Sequence, residues 1–162
     1  MALDSDQEHK LTINLSTDPT LLGSARTAIE KLAATHKFDA QSCEEIGLVV
    51  NEALANVIRH AYGVGTDGPI QIDVIVLDGE LTIKMRDWGK GVNPDKLPPS
   101  PASIDPLKPG GLGLMCMRRM MDSVVFEPQP DGMLLTMKRK RAVRDATPTV
   151  AAASSSADTR KK

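Results

Sequence analysis

Three short stretches hold the residues that could do chemistry. In VNEALANVIRHAY, residues 50–62, Glu52, Asn56 and His60 recur every four positions, and on a helix that spacing forms one slanting row. A carboxylate and an amide one turn apart suit a hard cation and a proton: Asn offers a neutral oxygen to Mg²⁺, and Glu can take a proton from a hydroxyl or water. Read alone, the row is better explained as a solvated helix face. The second stretch is Asp87-Trp88-Gly89-Lys90-Gly91. Glycines two positions apart let backbone approach a ligand closely, and an Asp at a strand end can accept a hydrogen bond from an amino group. An ordinary turn explains the same residues equally well. The third is Gly110-Gly111-Leu112-Gly113-Leu114, where glycine-rich backbone entering a helix offers free N–H groups and a favourable dipole to phosphate. No GK[ST] follows and the glycines do not make GxGxxG, so neither a P-loop nor a dinucleotide fingerprint is present. The alternative is a loop-to-helix hinge.

Elements of regular structure must hold these stretches in place. Leu11, Ile13 and Leu15 alternate with polar neighbours over residues 10–16, which predicts a half-buried strand. Asp18-Pro19 reads as a helix start, and apolar residues from Leu21 to Ala33 at spacings of three and four predict a helix over 19–36. A second helix is expected over 40–62, with Ile46, Val49, Val50, Ala53, Leu54, Val57, Ile58 and Ala61 as its apolar stripe. Gly63, Gly65 and Gly68-Pro69 end it. Strands follow at 70–77 and 81–86, joined at Asp78-Gly79. Residues 87–111, with five prolines between 94 and 106, read as a long loop of the functional or disordered kind. A helix at 112–122, a strand at 123–127, a turn at 129–132 and a strand at 133–140 complete the order. Such a β-α-α-β-β-loop-α-β-β chain predicts a two-layer α/β sandwich with a mixed sheet and helices on one face.

With 162 residues the chain suits one domain with a real core. Only 2% of residues are aromatic, so aliphatic side chains and Met must fill the interior and stacking surfaces for bases are scarce. The net charge of −1 conceals an asymmetry: residues 138–162 hold eight Lys or Arg against two Asp, which leaves the remainder near −7. The run KRKRAVR lacks aromatic neighbours, so a solvated tail rather than a nucleic-acid site is expected. Beyond Arg141, Ala, Ser, Thr and charge predict disorder over 142–162. Cys43 and Cys116 show no CxxC or Cys/His spacing, so reduced thiols are expected rather than a metal site or disulfide. A polar N-terminus and the lack of an apolar run of about 18 residues point to a cytoplasmic protein without membrane contact.

Taken in order, VNEALANVIRHAY, DWGKG after a strand and GGLGL before a helix resemble the N, G1 and G2 boxes of the GHKL, or Bergerat-fold, ATPases. ExxxN followed by HAY, and GGLGL running into MCMRRMMD, resemble the anti-sigma-factor serine kinases in particular, over residues 8–141. The resemblance implies ATP and Mg²⁺ as cofactors, Glu52 as general base and Asn56 as Mg²⁺ ligand. By the same resemblance Asp87 would bond the adenine amino group, Gly89 and Gly91 would shape the adenine pocket, and Gly111, Leu112 and Gly113 would form the phosphate loop. Thr136 would support the adenine contact. Lys108 is in reach of phosphate but reads better as a solvated side chain, and His60 as a helix-end residue. The implied partners are a sigma factor, an anti-anti-sigma (STAS-type) protein that is phosphorylated on serine, and a second copy in a homodimer. The alternative is an ATP-gated module that sequesters its partner without chemistry. Departures from the family pattern are Trp88, the proline-rich lid and the basic extension after 141.

Overall fold

A computed structural model describes residues 7–91, 93–96, 107 and 111–142. Strand β1 (His9–Ser16) leads into helix α1 (Pro19–Thr35), which starts as the sequence indicates: Pro19 occupies the first turn and the Asp18 side chain accepts a hydrogen bond from Thr20 N. Helix α2 (Ala40–Asn56) is capped in the same way by Asp39, which accepts from Ser42 N at 2.7 Å. Next come a π-helical turn (Val57–Tyr62), β2 (Pro69–Leu77), β3 (Glu80–Asp87), a single 3-10 turn (Pro94–Lys96), α3 (Gly111–Met120), β4 (Ser123–Gln129) and β5 (Gly132–Lys140). The β2–β3 hairpin turns on Asp78-Gly79, both at positive φ, as a two-residue hairpin requires.

The five strands lie in the order β1-β2-β3-β5-β4, and every pairing is antiparallel. This corrects the expected mixed sheet, and chain direction explains why. Two helices separate β1 from β2, so the chain returns to the end of the sheet it left, and Ser16 pairs with Pro69. One helix, α3, separates β3 from β4, which therefore run the same way, but β5 folds back between them and pairs with each. The two-layer α/β arrangement itself stands as expected.

Alternation decides which sheet face is covered. Ile70, Ile72, Val74, Leu81, Ile83, Met85 and Met137 are all at most 1% exposed and face the helices, where they meet Ile29, Ile46, Val49, Val50 and Leu54. The opposite face carries Thr12, Asp73, Lys84 and Lys138, with Thr12 donating to Asp73. At about 0.8 kcal/mol per buried CH₂, the apolar layer is the main stabilising term.

The expected helix over 40–62 is corrected at its end, because the α-helical winding stops at Asn56 and residues 57–62 widen into a π-turn. Over six residues, apolar spacing reads the same for either winding. Such turns occur mostly as single-turn insertions in α-helices, frequently at functional sites. The loop after the turn is tied down by buried Thr17, whose hydroxyl donates to Thr66 O at 2.8 Å and accepts from Gly68 N at 3.1 Å. Most of the expected proline-rich loop, with Lys108 and Gly110, lies outside the described residues, as do residues 143–162 of the expected tail. Among the described residues, no helix is long and apolar enough to cross a membrane.

Candidate functional site

Asp87 ends β3 on the helix-facing side and is only 4% exposed. Burial pushes its carboxyl above the usual carboxylate range, outweighing the backbone bonds from Gly89 and Met133 and the charge of Arg86, which pull the other way. One carboxylate oxygen accepts from Gly89 N at 3.0 Å. Beside it opens a small pocket with apolar walls from Val57, Met85, Phe126, Met133 and Leu135. Asn56, His60 and Asp87 bring polar groups to the same pocket, and Gly91 forms part of its rim.

The turn after Asp87 is seated on the end of the π-turn. Lys90 N donates to Ala61 O at 2.8 Å, and a Cβ on Gly89 would collide with the Ala61 backbone, so only glycine lets the two chains approach this closely. Trp88 N donates to the Tyr62 hydroxyl at 2.8 Å, and that hydroxyl donates to Pro69 O at 2.7 Å. On the outer side, the Arg86 guanidinium lies 4.7 Å from the Trp88 ring centroid and pairs with Asp131.

The second half of the site lies where α3 begins. Helix α3 packs on α2, and a Cβ on Gly113 would sit 2.6 Å from Glu52 Oε2. The carboxylate therefore rests against the first turn of α3, whose backbone N–H groups lack intrahelical partners. Gly111 and Gly113 line that turn, while the Leu112 side chain is 56% exposed and offers the site only its backbone. One turn of α2 separates Glu52 from Asn56, whose Oδ1 accepts from Arg59 Nη2 at 3.2 Å. Among the described residues no three His, Cys, Asp or Glu side chains converge. The Asn56 amide offers a neutral oxygen of the kind a hard cation accepts.

The structure thus gathers Asn56, Asp87 and Gly91 around one pocket, sets Gly89 under its turn, and places Glu52 against Gly113. It does not bring Thr136 there. Thr136 alternates with buried Leu135 and Met137 and pairs with Lys84 and Val125 on the uncovered face. Met133, two residues before Leu135, is the β5 residue nearest Asp87 in register, and it faces the pocket. His60 is exposed at the pocket edge rather than packed at a helix end. Tyr62, and the backbone of Ala61, which the sequence places only in an apolar stripe, hold the turn after Asp87. The available signal was a lone Tyr directly before a glycine-rich break. A wider cleft at the other end of the sheet, lined by Lys37, Glu80, Lys138 and Lys140, receives none of the three motifs.

A buried acceptor beside an apolar pocket, and a glycine-rich helix start against a carboxylate, lie on neighbouring elements of one face of the fold. The chain belongs to the histidine kinase-like ATPase family, whose family model matches residues 15–139, and to its anti-sigma-factor serine kinase branch. It is 30% identical over 136 residues to the anti-sigma F factor of Clostridium botulinum (strain Eklund 17B / Type B), a match spanning 82% of this chain and 95% of that one. It is 26% identical over 136 residues to the serine-protein kinase RsbW of Oceanobacillus iheyensis, across 79% of this chain and 85% of the relative. Among solved structures, the RsbU and RsbW domains of Rv1364c from Mycobacterium tuberculosis superpose with a TM-score of 0.61 at 16% identity. That match covers 86% of this chain and 34% of the other, and it shows the shared fold.

Proposed function

We propose that residues 8–141 form an ATP-dependent protein serine kinase that is also an anti-sigma factor, acting on an anti-anti-sigma (STAS-type) partner and working in the cytoplasm as a homodimer. The observation that carries the chemistry is the contact of Glu52 with the glycine-rich start of α3, one helical turn from Asn56, which itself lines the Asp87 pocket. The names of the relatives support the partners.

Asp87 would accept the adenine amino hydrogen while Gly89 N holds its other side, and Met85, Met133 and Leu135 exclude water from the base. The N–H groups of Gly111, Leu112 and Gly113 would bond phosphate oxygens, which favours negative charge at the helix start. Asn56 would ligate Mg²⁺, which when bound neutralises charge across the phosphates. Glu52 would take the proton of the incoming serine hydroxyl, at a point where positioning and charge stabilisation account for most of the rate.

The test follows labelled γ-phosphate from Mg²⁺-ATP to a STAS-type anti-anti-sigma protein. Transfer by the wild type, reduced at least 100-fold in Glu52→Ala with ATP binding retained, is the expected result. Tight ATP binding without transfer by the wild type would instead establish a nucleotide-gated sequestering module.

A further inference from the structure

Tyr62 is the single tyrosine of the chain, and its side chain joins three segments. The ring packs under Gly68, where an added Cβ would lie 2.5 Å from Cδ1 and 2.6 Å from Cζ. The hydroxyl donates to Pro69 O at 2.7 Å and accepts from Trp88 N at 2.8 Å. Pro69 opens β2, and the next residue, Ile70, pairs across the sheet with Asp87. The hydroxyl therefore touches the strand beside Asp87 and the residue after Asp87 at once. Its neighbour Ala61 holds Lys90 N from the same side.

We propose that Tyr62 is a positioning residue for base recognition: its hydroxyl fixes the turn after β3 so that the Asp87 carboxylate, clamped by Gly89 N, presents its free edge to the amino group of adenine. The inference rests on the nucleotide reading given above and adds to it the residue that sets the choice of base. Burial raises the phenol further above neutral pH, so the hydroxyl keeps the proton it donates to Pro69. Without that hydroxyl, Trp88 N and Pro69 O must find water, and the turn is left with the Lys90–Ala61 bond as its remaining tie to the π-turn, which loosens the hold on the carboxylate. The phosphate half of the site, on α2 and α3, does not pass through Tyr62. Loss of the hydroxyl should therefore weaken base recognition selectively.

The experiment compares the wild type with Tyr62→Phe, which keeps the ring against Gly68. Binding of ADP and of GDP is measured by titration calorimetry with Mg²⁺ present, and stability by urea unfolding. Two hydrogen bonds at the usual net worth correspond to roughly tenfold or more in affinity. The expected result is ADP binding weakened about tenfold, GDP binding within about twofold of wild type, and transfer rate at saturating ATP nearly unchanged. Wild-type protein that binds ADP together with a variant that keeps the ADP-over-GDP preference overturns the proposal while leaving the nucleotide reading intact. A variant that loses ADP and GDP affinity equally also overturns it, since that pattern marks a purely structural tyrosine. Wild-type protein that binds neither nucleotide overturns the proposal and the nucleotide reading together.

Discussion

At the scale of single residues, the site keeps a carboxylate where the fold would rather have none. Asp87 is buried, and its folded pKa lies above the unfolded one. The sign follows directly. The folded chain holds this proton to higher pH than the unfolded chain, so the group's contribution is most favourable below the unfolded pKa and is lost as pH rises through the folded value. At neutral pH the ionised group is a cost. Asp87→Asn should then raise the melting temperature at pH 7, each kcal/mol reading as roughly 2–4 °C, while nucleotide affinity falls at least tenfold. The stability gap should narrow as pH is lowered through the raised folded pKa, where the wild-type carboxyl also becomes neutral. Calorimetric scans of both proteins across that range check the claim, and a variant less stable at pH 7 than below that pKa, relative to wild type, would refute it.

Between elements, the decisive contact is α3 on α2 at Gly113 and Glu52. Gly→Ala in a helix ordinarily gains about 0.5–1 kcal/mol, and the obstacle here is the flexible end of a glutamate side chain, which can swing away. Gly113→Ala should therefore melt at or above the wild-type temperature, yet lose phosphoryl transfer by about 100-fold, because a misplacement of about 1 Å at a reacting group costs that much. Parallel melting and transfer assays separate the two effects. Much at this scale was legible beforehand. Asp18-Pro19, the α2 stripe and Asp78-Gly79 each encode their element locally, through a cap, a period and a turn. The glycine-rich motifs marked where backbone approaches closely. What remained hidden depends on pairing over distance. The direction of β5 between β3 and β4 leaves no local trace, and the family resemblance puts Thr136 at the adenine although strand alternation turns it to the other face. The π-turn was invisible because Val57, Ile58 and Ala61 satisfy a continued α-helix equally well, and only the docking of Trp88 and Lys90 on residues 61 and 62 shows what the wider winding presents.

For the whole molecule, an antiparallel sheet with its helices on one face has two unlike ends. Asp87, Pro69 and Met133 lie at one end, together with the starts and finishes of strands that build the pocket. At the other end, the His9 and His36 rings meet at a tilt with centroids 4.6 Å apart, and Arg141 Nη1 donates to His36 O at 3.0 Å. The first residue of β1 and the residue just after β5 thus rest on the same histidine, at the pole away from the Asp87 pocket. Chain order is therefore separable from architecture. A circular permutant that joins residue 141 to residue 9 through a short Gly/Ser linker, and opens the chain at Asp78-Gly79, should fold to the same sheet and bind ADP with unchanged affinity. The new termini would emerge beside the old ones, since Arg141 N already bonds Gly79 O, so a reporter attached there would stand clear of the Asp87 pocket.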